Sequence, residues 1–310
     1  NLKFGPNGAC VKINGQFVPL LERERHALKK IYKSKSIIPY GYDVEEYAGY
    51  AIYLNKSKLA SGNKHETRIL AETRYPTLTR YLKQHEQDLR KILINAKEHP
   101  EDLYFPRRGA FIRGALMGEK NRLVDLEPFY EGEEKIFLKF ITKDNEFGYA
   151  SDSYLATSDT YFLWPKLAKK ELNYPFLVAY INSKLVRFLF RARGISIKRS
   201  KTKLEDGLPI PNLKAFQSSR DQALVDFICG LASSLMGKRS AGEKKASRIP
   251  GEVIAEASDI LSSEKFKSLT RKGSIPVDRS IIQGMIDEAF FLLFRLNEGK
   301  IDDVMEKYYE

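Results

Sequence analysis

Eight basic side chains, Lys184, Arg187, Arg191, Arg193, Lys198, Arg199, Lys201 and Lys203, fall within twenty residues that hold no carboxylate. Positive charge without a local acid suits an external polyanion, and nucleic acid is the commonest one. A solvated basic surface without a ligand is the alternative. Leu177, Val178, Ile181, Leu185, Phe188 and Leu189 recur at helical spacing, which predicts a helix with this stripe toward the core. Lys184, Arg187 and Arg191 then share another face. Gly194 is expected to end the helix, and residues 195–203 to project as a loop or edge hairpin. In that loop Lys198 and Arg199 are expected nearest to base edges, with Lys201 and Lys203 on phosphates. Arg107, Arg108 and Arg113, in the turn region after Phe105-Pro106, form a second set for the same surface.

Other chemistry is sparse. Asp125 followed by Glu133-Glu134-Lys135 has the residue types with which nucleases hold a divalent ion and position a lysine. Glu-x-Lys also arises as a solvated entry to a strand, here the apolar run from Ile136 to Ile141. Calcium or magnesium binding would mark the nuclease reading. Tyr40, Tyr42, Tyr47 and Tyr50 could instead form a stacking platform for single-stranded DNA or RNA, or pack in a mixed sheet. His26, His65, His85 and His99 stand singly, and no glycine-rich turn joins a strand to a helix to cradle a phosphate or a methyl donor. Asn173-Tyr174-Pro175-Phe176 shares residue types, but not order, with the Asn-Pro-Pro-Tyr motif that grips a flipped adenine. It reads as a turn whose proline starts a helix. No catalytic centre, metal site or cofactor-binding site is expected in this chain.

The elements that must position the basic run are mixed. Asn14-Gly15 between two short apolar runs signals a hairpin. A helix is expected from Pro76, with Leu78, Tyr81, Leu82, His85, Leu89 and Ile92 on its stripe and Arg80, Lys83 and Arg90 exposed. Residues 136–141 and 161–164 read as strands. Leu224, Phe227, Ile228, Leu231 and Leu235 form one helical stripe, and Ile282, Met285, Ile286, Ala289, Phe290, Leu293 and Leu296 another. The expected fold is α+β: a mixed β-sheet domain with peripheral helices over 1–215, then an amphipathic helical pair over 216–310 with a partly ordered insertion at 237–280.

The net charge of +12 is uneven. Residues 1–120 hold 22 basic and 13 acidic side chains, residues 121–215 hold 16 and 12, and residues 216–310 hold 14 and 15. A basic binding part followed by a neutral scaffold is the reading. Cys10 and Cys229, far apart, suggest neither a disulfide framework nor a thiolate metal site, and a reducing cytoplasm fits. No long apolar run suggests a membrane, and an opening of Asn1-Leu2-Lys3 suggests a fragment of a longer protein.

Four segments in order carry a resemblance: Tyr75-Pro76-Thr77-Leu78-Thr79-Arg80-Tyr81-Leu82, Glu134-Lys135-Ile136-Phe137, Ala179-Tyr180-Ile181-Asn182-Ser183-Lys184-Leu185-Val186 and Leu208-Pro209-Ile210-Pro211. Together they resemble the TaqI-like carboxy-terminal specificity domain, the target recognition domain of adenine-specific DNA methyltransferases and type II restriction-modification enzymes. Ile286-Asp287-Glu288-Ala289-Phe290 looks like the helical tail that closes such proteins. The resemblance covers residues 1–215 and 280–308. It implies a reader of double-stranded DNA, covalently linked in its parent protein to a methyltransferase domain that binds S-adenosylmethionine.

Overall fold

The computed structural model describes residues 2–5, 8–55, 59, 63–105, 113–115, 123–125, 127–142, 145–163, 172–195, 203–204, 207–240 and 278–309. These residues form helices and several small antiparallel or mixed sheets, an α+β architecture. Two compact units divide the chain, Asn1–Ile31 with Ala48–Pro128 and Tyr32–Tyr47 with Phe129–Glu310.

The first unit opens with the antiparallel strands β1 (Leu2–Gly5), β2 (Gly8–Ile13) and β3 (Gln16–Pro19). Ile13 faces Gln16 across Asn14 and Gly15, whose φ angles of 48° and 86° are the paired positive values of a two-residue hairpin turn. Ala9, Val11 and Ile13 alternate inward from β2 while Lys12 is exposed. Next come α1 (Glu22–Arg25) and β4 (Leu28–Tyr32). The chain then forms β5 (Ile37–Ile38) and β6 (Gly41–Asp43) of the second unit and returns as β7 (Tyr47–Ile52), beside β4.

Three helices follow: α2 (Lys64–Arg74), α3 (Pro76–Lys83) and α4 (Glu86–Asn95). The helix expected to run unbroken from Pro76 is thus two. Gln84 interrupts it, its amide donating to Lys12 O at 2.8 Å and accepting from Asn14 N at 3.3 Å, so the hairpin holds the break. The break shifts the phase of the apolar stripe. Leu78 and Leu93 are fully buried, while His85 and Ile92 are exposed. The buried Glu24 carboxylate accepts from Thr77 N (2.6 Å), Leu78 N (3.0 Å) and Leu21 N (3.0 Å), and so caps the start of α3. Helix N-termini present unsatisfied N–H groups and positive charge there, which offsets the desolvation of the carboxylate. Two short strands, β8 (Arg113–Ala115) and β9 (Leu123–Asp125), pair antiparallel with Arg113 opposite Asp125.

In the second unit, α5 (Glu127–Glu131) leads to β10 (Lys135–Lys139), β11 (Phe147–Ala150), β12 (Leu155–Ala156) and β13 (Thr160–Leu163). β10 lies between β11 and β13, antiparallel to both. It is covered on both faces. Phe137 stacks on Tyr154 at 3.9 Å in an aromatic core with Tyr32 and Tyr42, whereas Ile136 and Leu138 face the helices. Those helices are α6 (Tyr174–Asn182), α7 (Lys184–Ala192) and α8 (Ser219–Leu235). The strand β14 (Gly237–Arg239) then leads to α9 (Arg279–Leu293) and α10 (Glu298–Tyr309).

Leu224, Phe227, Ile228, Leu231 and Leu235 of α8 and Ile282, Met285, Ile286, Ala289, Phe290 and Leu293 of α9 are buried, as their spacing predicts. Leu296 lies beyond the end of α9 and is exposed. These helices share one core with Val178, Ile181, Phe190 and Phe147. Burial therefore joins the helical pair to the segment before residue 215, and the units divide the chain elsewhere than at 215. The insertion expected from 237 begins as β14, which pairs parallel with β6, Gly237 opposite Gly41. A Cβ on Gly41 would lie 1.8 Å from Gly237 O, so this contact requires glycine. Residues 241–277 of the expected insertion lie outside the described residues.

Candidate nucleic-acid interface

The basic run is positioned by α6 and α7, and the sequence explains each boundary. Asn173 caps α6, its side-chain oxygen accepting from Phe176 N at 3.0 Å, with Pro175 in the first turn. The Asn-Tyr-Pro-Phe segment is thus the helix start it was read to be. The single helix expected through Leu189 breaks at Ser183, whose ψ of 157° is extended. Ser183 ends one helix and caps the next, donating to Tyr180 O (2.6 Å) and accepting from Val186 N (3.3 Å). Asn182 fixes the break from the other side. Its amide accepts from Phe147 N (3.0 Å) and donates to Phe147 O (2.9 Å), pairing with β11 as a neighbouring strand would. The Asn-Ser pair therefore sets the direction of α7.

Asp287 of α9 completes the arrangement, accepting from Lys184 N at 2.8 Å at the positive end of α7. Gln283 donates to the same oxygen (3.1 Å) and accepts from the buried Tyr40 hydroxyl (2.6 Å). The break also rotates the apolar face of α7. Leu185, Val186 and Phe190 are buried, while Phe188 and Leu189 are only half-buried.

Lys184, Arg187 and Arg191 lie on α7 and are half-buried, with Arg193 and Lys203 exposed beyond it. The structure supplies an acid that the local sequence lacks: the Lys184 ammonium pairs with Asp302 of α10. Such a partly exposed pair contributes little to stability, about 0–1 kcal/mol, but it lowers the local charge. The Arg187 Nε is buried without a hydrogen-bond partner among the described residues. Arg193 and Gly194 end α7, and Ile195 N donates to Phe190 O (2.8 Å) while Gly194 N donates to Arg191 O (3.0 Å). With Gly194 at φ 64°, this is a Schellman termination, as the glycine predicts. Ile195 and Leu204, on either side of residues 196–203, are buried in the main core of this unit. Arg193 Nη1 donates to Gly207 O at 2.9 Å. Lys198, Arg199, Lys201, Arg107 and Arg108 lie outside the described residues, as does the Arg113 side chain.

Several side chains of the competing chemistries are committed to packing or to hydrogen bonds, while the Asp125 side chain lies outside the described residues. Lys135 is fully buried and donates to Glu133 O (2.7 Å) and Asp152 O (2.6 Å), so its ammonium serves the strand entry. Glu134 accepts from the Tyr149 hydroxyl at 2.6 Å. Tyr40 and Tyr42 are buried and unable to stack on bases, whereas Tyr47 and Tyr50 are half-buried. Burial raises the Cys229 thiol to about 11, which keeps it protonated at neutral pH. In the first unit Lys83 and Arg68 both pair with Glu72, at 3.0 and 3.1 Å. Burial pushes the Glu72 carboxyl up, but hydrogen bonds from Tyr104, Lys83 and Arg68 outweigh it and hold the pKa below the ordinary value. Arg90 pairs with Glu86 at 2.7 Å, and Arg80 is exposed.

The family described as the TaqI-like C-terminal specificity domain matches residues 29–208. The chain belongs to this family. The matched span covers more than half the chain and encloses the Asn182-Ser183 break, α7 and the basic run from Lys184 to Lys203. The TaqI-like family is one of sequence-specificity domains of restriction-modification methyltransferases. No curated protein matches the chain. Among the described residues, no helix is long and apolar enough to cross a membrane, and no group of three or more His, Cys, Asp or Glu side chains could hold a metal ion.

What the sequence alone missed are the residues that orient α7. Asn182, Ser183 and Asp287 stand in the segments that carry the resemblance, yet their roles are internal. Gly207 carries a faint signal, a glycine just before Leu208-Pro209.

Proposed function

We propose that this chain recognises a specific sequence in double-stranded DNA as the target recognition part of a type II restriction-modification adenine methyltransferase. The methyl-transferring domain, which binds S-adenosylmethionine, is a separate covalently linked part of the parent protein, acting in the cytoplasm. Membership of the TaqI-like specificity family over residues 29–208 carries this reading. The run of eight basic side chains from Lys184 to Lys203, with no carboxylate in its own sequence, supports it, because such a run suits a polyanion. Lysines and arginines neutralise phosphates and supply affinity, and a few side chains at base edges in the major groove supply the choice.

The test is binding of the full chain to a mixed-sequence duplex and to its separated strands across a salt series. Affinity for duplex should exceed that for either strand. It should fall on the order of a thousandfold between about 50 and 200 mM salt if some six phosphates are contacted. Salt-independent binding, or preference for the single strands, would contradict the proposal.

A further inference from the structure

We infer that Arg187 and Arg191 are the phosphate-holding pair of α7, contributing affinity without sequence choice, an inference that rests on the DNA-reading function proposed above. The two lie one turn apart on the same face of the helix, and both side chains are half-buried. The other two cations of α7 and its cap are committed inside the chain. Lys184 pairs with Asp302, and Arg193 Nη1 donates to Gly207 O at 2.9 Å. Among the described residues, no ion pair or hydrogen bond engages the guanidinium of Arg187 or of Arg191.

Arg187 is the unusual member of the pair. Its Nε is buried and has no acceptor among the described residues. A buried donor without an acceptor costs free energy, and folded chains keep few of them. An apolar side chain of similar length would fill the same space without that cost, so packing does not account for the guanidinium. Arg191 adds like charge one turn away, which is unfavourable on a helix surface. An anion held between the two offsets that repulsion, and the proposed function supplies one in the DNA phosphate.

Burial of Nε also decides which part of DNA the pair meets. The Arg187 side chain is held in the protein surface up to its guanidinium, whereas base edges lie inside a major groove about 8.5 Å deep. Phosphates stand at the groove's rim. A cation whose stem is already packed loses little freedom on binding, so it contributes affinity at any sequence.

The test compares the full chain with Arg187→Met, Arg191→Met, the double methionine variant and the double lysine variant. Each is titrated with a duplex bearing the sequence that wild type enriches from a random pool, and with a scrambled duplex, from about 50 to 200 mM salt. Each methionine substitution should weaken both duplexes alike and lower the salt slope by about one, so that the affinity lost by the double variant shrinks about tenfold across that range. The double lysine variant should keep the slope and the preference, because lysine holds phosphate as a point charge. Arg187→Met should melt at or above the wild-type temperature, since it removes the unpartnered donor. Relaxed preference in the lysine and methionine variants would show that the pair reads bases, and overturns the inference. An unchanged slope, or a lower melting temperature for Arg187→Met, would show that the guanidiniums serve the fold, and overturns it too. Unchanged slopes beside normal wild-type binding leave the DNA-reading function standing, whereas wild-type chain that binds no duplex would overturn both. Should a double variant fail to fold, the single substitutions still give the two slopes.

Discussion

Replacing Asp287 by alanine removes a side chain that joins α9 to the start of α7. Its carboxylate accepts from Lys184 N at 2.8 Å and from the Gln283 amide at 3.1 Å, in a buried site. Loss of a helix cap costs about 1 kcal/mol, and a carboxylate at a partly buried helix N-terminus contributes up to about 2 kcal/mol more. Two donors left without an acceptor would each add about 1–3 kcal/mol. Removing a buried charge relieves part of that, so Asp287→Ala is expected to destabilise the chain by about 3 kcal/mol in total. Asp287→Asn keeps an acceptor oxygen and loses only the charge, at about 1 kcal/mol. Urea unfolding with unchanged slope measures both differences. A loss under about 0.5 kcal/mol for Asp287→Ala would refute this account of how α7 is oriented.

Gly194→Ala forces a Cβ into a left-handed position at φ 64° and should cost about 1–2 kcal/mol in the same unfolding measurement; a neutral result would mean that the end of α7 relaxes without it. Asp159 accepts from Ser34 N (3.1 Å), Ser34 Oγ (2.8 Å) and the Thr157 hydroxyl, and although burial pushes its pKa up, these bonds hold it below the ordinary aspartate value. Its contribution is therefore complete above the unfolded aspartate pKa of about 4 and is lost as pH falls through the lower folded value. Thermal melts from pH 6 to pH 2 should show a smaller acid loss for Asp159→Asn than for wild type, and equal losses would contradict the assignment. Within the basic run, Lys203→Ala should weaken binding to all duplexes alike and reduce the salt slope by about one, while Arg199→Ala should relax the choice of sequence at about 1–3 kcal/mol. Unchanged affinity and preference in both would leave the basic run a solvated surface.

Much of the second unit was legible in the sequence because local pattern and tertiary burial agree there. The spacing of Leu224 to Leu235 and of Ile282 to Leu293 places both helices, and in the first unit Asn14-Gly15 gives the hairpin by turn geometry alone. The breaks at Gln84 and Ser183 were not legible. Apolar residues continue at helical spacing across each, and the break is imposed by distant backbone, Lys12 and Asn14 in one case and Phe147 in the other. The same holds for the candidate site. The density of cations between Lys184 and Lys203 is a local property, whereas the pairing of Lys184 with Asp302 and of Arg193 with Gly207 depends on how the chain returns. Glu24 shows the limit most clearly, since nothing around it signals that a carboxylate in Glu-Arg-Glu-Arg would be fully buried against the start of α3.

Selection by the full chain from a random-sequence duplex pool, at a salt concentration where non-specific phosphate binding is weak, tests the central claim most directly. A specificity domain should enrich one short sequence, bound about a thousandfold or more tightly than scrambled duplex, within the usual range of specific over non-specific binding. A pool that stays flat while the chain still binds duplex would show a basic surface without sequence choice, and would contradict the account.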